Sequence, residues 1–237
     1  MNIQISTTFA AAMLFVTSAA LAETRSFDLS TFDEIHVFSG IKAEIVVGGD
    51  QSVVVEAESD DDFDKLEISV RNGKLSIGLD RGLFGGWRGL FSKGPDITAF
   101  VTVPILTGLD GSSGAGVQAK GMSGQYLTVE ASSGASITVE EISGEDISVS
   151  ASSGAVIDAS GTCGHLGGEV SSGGNLDLAR LECKDVRVDA SSGGNASVFA
   201  SVSINADASS GSNIDVAGGP DDIEIDVTSG GDIDFNN

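Results

Sequence analysis

Cys163 and Cys183 are 20 residues apart, which is also the interval at which this chain repeats itself. Each stands 10 residues before the glycine of a Ser-Ser-Gly triplet, Gly173 or Gly193. If the repeats stack, the two thiols fall on adjacent rungs. Paired strands lie about 4.8 Å apart, inside the roughly 4.4–6.8 Å Cα separation that a disulfide requires. The expected chemistry is a Cys163–Cys183 bond formed in an oxidising compartment. The interval around Cys163 is one residue short, which could put the two rungs out of phase.

Acidic residues share the same period. Four positions before the triplet glycines stand Glu130, Ser150, Glu169, Asp189, Asp207 and Asp226. Four positions after stand Asp158, Asp177, Asp215 and Asp234, among Gln118, Thr138 and Ser197. Stacking turns these into two acidic stripes. Carboxylates about 5 Å apart repel by about 1 kcal/mol in water, and by several times that at a lower effective dielectric. Arg187 offsets part of this cost along Glu169, Asp189, Asp207 and Asp226. Weak, multi-site calcium would offset more, because calcium takes several carboxylate oxygens in loose geometry. The repeats lack the glycine-aspartate nonapeptide of calcium-binding β-rolls, so no high-affinity metal site and no cofactor are expected. The plainer alternative is a solvated acidic face that keeps the protein soluble.

Other reactive types point away from catalysis. His36 and His165 are the only histidines, with no cysteine or second histidine at zinc-ligand spacing. Seven near-identical serine triplets argue against one special nucleophile. Arg180, Lys184 and Arg187 form the only basic cluster inside the repeats. A basic residue beside acids is what a β-helical polysaccharide lyase uses, so a carbohydrate-binding or carbohydrate-cleaving β-helix is the alternative function. The stretch 81–95, RGLFGGWRGLFSKGP, places Phe84, Trp87 and Phe91 among glycines and cations. It reads as a loop folded over the end of the stack, or as a contact loop for a protein, a sugar ring or a lipid headgroup.

The element that must position these groups is the repeat. The triplet glycines are Gly114, Gly134, Gly154, Gly173, Gly193, Gly211 and Gly230, at spacings of 20, 20, 19, 20, 18 and 19. Three and five residues after each stand apolar side chains, as in Ile137 and Val139 or Leu176 and Leu178. Seven, five and three residues before stand Leu127, Val129 and Ala131, then Ile147, Val149 and Ala151, and so on. Polar residues fill most of the places between. This is period-two alternation on both sides of every triplet, so each repeat holds two short strands. One repeat cannot bury its own apolar face, and stacking buries it in continuous ladders. The alternation places the second serine of each triplet inward at a corner, where its hydroxyl satisfies turn backbone. The glycine after it supplies a positive φ or the room left by a missing Cβ.

Residues 23–107 lack the triplet but still read as strands, with a hairpin at Asn72-Gly73 inside LEISVRNGKLSIGL. They are expected to begin or cap the stack. The fold class is therefore all-β: a parallel β-solenoid of about 20-residue coils. The mature chain is read as one domain over 23–237, with an N-terminal β segment at 23–107 and the repeats at 108–237. With 12 Lys and Arg against 35 Asp and Glu, the net charge of −23 excludes a nucleic-acid partner. A hydrophobic content of 41% excludes a disordered acidic tail. Residues 1–22 read as a secretory signal peptide, with an apolar run from Phe9 to Val16 and Ala20-Leu21-Ala22 before Glu23. No cysteine follows at that site to carry a lipid anchor, and no later stretch reads as a transmembrane helix.

The order FDEIHVFSGIKAEIVVGGDQSVVVEAE, NGKLSIGL, VTVPILTGLDGSSGAGV and repeated SSGA units resembles the head GIN domain family, described as putative auto-transporter adhesins. The likeness runs from about Phe27 to Phe235. It implies an exported β-helix-like protein of the periplasm, cell surface or extracellular space of a Gram-negative bacterium, without assigned catalytic or ligand residues. The 237 residues leave no room for a translocator barrel, so self-secretion is not expected. The expected function is a non-catalytic adhesion, binding or structural surface, whose partner is an unidentified glycan or protein.

Overall fold

The computed structural model describes residues 23–80 and 96–236. The signal peptide expected over 1–22 and the contact residues Phe84, Trp87 and Phe91 lie outside the described residues. The N-terminal part runs β1 (Glu23–Phe27), β2 (Glu34–Val37), β3 (Lys42–Val47), β4 (Ser52–Ala57), a single helical turn α1 (Asp60–Phe63), β5 (Leu66–Arg71), β6 (Lys74–Leu79) and β7 (Ile97–Val103). The repeats open with β8 (Gly108–Gly111), β9 (Gly116–Lys120) and β10 (Ser123–Ala131). Four long bent strands follow, β11 (Ser136–Ala151), β12 (Val156–Val170), β13 (Asn175–Ala190) and β14 (Asn195–Ala208). The last coils are β15 (Asn213–Gly218), β16 (Asp222–Val227) and β17 (Asp232–Asn236).

Among β2, β3 and β6 to β17 every pairing is parallel, with Leu127, Ile147, Leu166, Val186, Ile204 and Ile223 in one register row. The expected solenoid is present. Its inward rows are nearly all Ile, Val, Leu and Ala, and one cluster of buried apolar residues extends from Phe32 to Val216. Each buried Ile, Leu or Val contributes about 1.5–3 kcal/mol, so a core without large aromatics is sufficient. The front segment both begins and caps the stack. β2 and β3 form a coil beneath β8 and β9, and β6 and β7 pair beneath them. Antiparallel β5, β4 and β1 then close that end. The Asn72-Gly73 hairpin is formed, with both residues at positive φ.

The corners correct one expectation. In every triplet the second serine has φ of 51–54° and the glycine φ of 71–78°. Ala115 N donates to Ser112 O at 3.2 Å and Ala135 N to Ser132 O at 3.1 Å, closing tight turns of the primed class, which need positive φ at both central positions. Two left-handed residues in a row break the alternation. The second serine therefore points out, as at Ser133 and Ser153. The inward place moves to the residue after the glycine, which is Ala135, Ala155 or Ser212. Ser212 does what was expected of the triplet: its Oγ accepts from Ser209 N and donates to Ala190 O, both at 2.9 Å. A left-handed serine costs about 1–2 kcal/mol. Bonds from turn to turn offset it, such as Gly134 N to Ser153 O at 3.1 Å and Gly154 N to Ser172 O at 3.2 Å.

Candidate functional site

The acidic stripe is in register. His36, Asp110, Glu130, Ser150, Glu169, Asp189, Asp207 and Asp226 face one another rung by rung. Asp110 stands four before Gly114 and His36 four before Gly40. Both extend the stripe, and Asp110 was legible by the same count carried one triplet toward the front. Ser39-Gly40 is an eighth corner of the same conformation, disguised because Phe38 replaces its first serine. The second stripe also holds, aligning Gln118, Thr138, Asp158, Asp177, Ser197, Asp215 and Asp234.

Between the first stripe and the corner runs an open groove of about 410 Å³. Glu169, Asp189 and Asp207 line one side, and the first serines of successive triplets, Ser152, Ser171, Ser191 and Ser209, line the other. Strand pairing sets both rows to one repeat distance, so the groove offers a carboxylate and a hydroxyl on each of three successive rungs, and two hydroxyls, Ser150 and Ser152, on the rung before them. Such a surface can engage a long ligand with repeating polar or cationic groups at many weak points. Among the described residues no three His, Cys, Asp or Glu converge as a metal cage.

Arg187 spans two rungs of the stripe, with Nη2 3.0 Å from Asp189 Oδ1 and 3.2 Å from Asp207 Oδ2, while Nη1 donates to Asn205 Oδ1 at 3.1 Å. Burial, and then a hydrogen bond that the protonated Asp189 carboxyl donates to Asp207, hold that carboxyl above its ordinary range, and Arg187 pulls the other way. A carboxyl raised in the folded state adds stability at low pH, and that stability is lost as pH rises through the raised value. Asp189→Asn is therefore expected to melt above wild type at about pH 7, with the gain vanishing toward about pH 3. The side chain is partly solvated, so the gain stays within about 1 kcal/mol. A variant that melts lower at neutral pH would show that the Arg187 contact outweighs the repulsion.

Arg180, by contrast, makes a two-pronged contact with Asp158, at 2.7 and 2.9 Å. Arg180 and Arg187 are thus engaged by two separate sets of carboxylates. His165 lies exposed in its own row between Asp146 and Asp185, 3.4 Å from the first and 3.5 Å from the second. His36 Nε2 is 3.0 Å from Ser112 Oγ, yet Asp110 approaches the same Nε2, at 3.7 Å. A serine relay needs the carboxylate on the opposite ring nitrogen, so this trio is not assembled for nucleophilic attack.

Cys163 and Cys183 are bonded, with Cα atoms 4.5 Å apart. The short interval does not disturb them, because its missing residue is absorbed upstream. Asp158 pairs with Asp177 but Ser160 pairs with Arg180, and from there Cys163 falls opposite Cys183.

Known proteins bear out the fold. A putative adhesin from Bacteroides fragilis superimposes with a TM-score of 0.81 at 15% identity, covering 91% of this chain and 97% of that one. A putative lipid binding protein from Parabacteroides distasonis gives 0.68 at 18% identity, over 91% and 97%. A putative adhesin from Parabacteroides merdae gives 0.67 at 13% identity, over 91% and 96%. Curated proteins give no match. The family model described as "Putative auto-transporter adhesin, head GIN domain" matches residues 31–220. With that span added to the solenoid and its corner-bordered stripes, the chain belongs to the putative auto-transporter adhesin, head GIN domain family.

Proposed function

We propose that this chain is an exported, non-catalytic binding solenoid that holds an extended partner along the groove between the acidic and serine ladders. The observation that carries this reading is the shared register of Glu169, Asp189 and Asp207 with Ser171, Ser191 and Ser209. A one-dimensional array of weak polar contacts suits adhesion to a repeating glycan or protein surface, because many weak contacts combine into avidity. Fold neighbours named as adhesins and as a lipid binding protein accord with a binding role. Among the described residues no helix is long and apolar enough to cross a membrane. A cleaving role has less support, since Arg180 and Arg187 are each engaged by carboxylates.

Calcium belongs to this reading as a weak bridge between neighbouring carboxylates of Glu169, Asp189, Asp207 and Asp226, or between that stripe and an anionic partner. The test is a glycan and matrix-protein array probed with the mature protein, with and without millimolar calcium. Binding is expected to fall in the Asp189→Asn, Asp207→Asn double variant. Calcium is expected to raise the melting temperature beyond sodium at equal ionic strength, and the double variant to lose that excess. Identical melting in the two salts removes calcium. Unsaturated product released from an acidic polysaccharide replaces the binding reading with the cleaving one.

A further inference from the structure

The two ends of the stack differ. The front end is closed by antiparallel β1, β4 and β5, whereas β16 and β17 pair only toward β14 and β15 among the described residues. Side chains that are buried one rung below are open here. Ile204 is 2% exposed and its partner Ile223 49%; Ala206 is 0% exposed and Ile225 50%. Ala208 is 1% exposed and Val227 45%, and on the other face Val216 is 1% exposed and Phe235 38%. The sequence also enlarges the side chain at three of these four places, which widens the apolar platform rather than shrinking it. Unpaired strand edges beside apolar side chains are templates for another strand.

Charge selects the occupant. The residues alternating with these apolar ones are Asp222, Glu224, Asp226, Asp232 and Asp234, and no Lys or Arg follows Arg187 anywhere in the sequence. A second copy would bring the same acids against these, which disfavours self-pairing. We propose that β16 and β17 form a docking edge for an extended segment of another protein in which apolar residues alternate with lysine or arginine. Its apolar side chains cover Ile223, Ile225 and Val227, its cations lie beside Asp222 and Asp226, and its backbone continues the ladder. The groove lining ends at Asp207 and Ser209, so this surface is separate from the groove, and Asp226 alone is shared with the stripe assigned to calcium.

The probe is a labelled peptide of about ten residues alternating valine with lysine, titrated at physiological ionic strength. Two comparators carry the same residues in blocks, or glutamate in place of lysine. The alternating lysine peptide is expected to bind at least about ten-fold tighter than either comparator. It is expected to protect amides of 222–227 and 232–236 from hydrogen exchange. Ile225→Asn is expected to weaken it by about ten-fold while leaving the melting temperature nearly unchanged, because the side chain is already half exposed. Equal binding of the block peptide would reduce the effect to general attraction by an acidic surface and overturn the proposal. Protection at Glu169 to Asp207 instead of the end would overturn it too. So would a dimer that Ile225→Asn converts to monomer, since the occupant would then be a second copy.

Discussion

Replacing Cys163 and Cys183 together with alanine is expected to lower the melting temperature of the oxidised protein by about 6–12 °C. The bond closes a loop of 20 residues. Chain-entropy reasoning gives about 3 kcal/mol for a loop of that size, and each kcal/mol moves the midpoint of a domain this long by about 2–4 °C. Either single substitution breaks the same bond, so each is expected to cost nearly as much as the pair. That strong non-additivity is the mark of one shared interaction. The measurement is a thermal melt of the four-member cycle, together with a thiol titration of denatured, unreduced wild type, which should find none. Singles that add to give the double, or two titratable thiols, would show that the sulfurs act only as separate buried packing groups.

Gly161→Ala is expected to be comparably damaging although it adds one methyl group. Gly161 sits at φ 146°, a conformation that L side chains rarely adopt. A Cβ there would overlap the Ile142 carbonyl oxygen and stand 2.8 Å from Ile142 N. These are backbone atoms of the rung below, paired with Gly161 itself, and they cannot turn aside. Backbone strain alone is worth about 1–3 kcal/mol, and displacement of the ladder adds to it. Gly168→Ala is the control. Its Cβ would meet Val188 at 3.4 Å and Leu176 at 3.7 Å, ordinary contact in the core row. It is expected to leave stability unchanged or raise it by up to about 1 kcal/mol through lower chain entropy. Equal melting temperatures for the two alanine variants would mean that the bend at Gly161 adapts freely.

Much of the architecture is legible in the residues because the repeat is a local signal copied many times. Alternation around each triplet identifies the inward rows, as at Ile137, Val139, Leu176 and Leu178. Equal intervals then imply rung-to-rung alignment, which is why the Cys163–Cys183 bond and both acidic stripes could be read without coordinates. Asp110 belongs to the same stripe and needed only the same count toward the front, whereas His36 is reached only once Ser39-Gly40 is seen to be a corner. The orientation of the corner serines was misread because alternation holds only while the backbone stays extended. Two consecutive left-handed residues send the second serine out and bring Ala155 or Ser212 in.

The sequence by itself determined the coil, its period, its apolar rows and the residues that share a stripe, since each depends on local periodicity and on stacking like upon like. The tertiary structure alone decided how irregular coils stay aligned, with the missing residue absorbed near Ser160 and Gly161. It also decided that the serine row and the acid row border one groove, that Arg187 joins Asp189 to Asp207, and that Ile223, Ile225 and Val227 stand about half exposed. These depend on which rung lies next to which and on the three-dimensional course of each bend. A bend is set by contacts between coils about 20 residues apart, such as Gly161 on Ile142, and no local pattern records that contact.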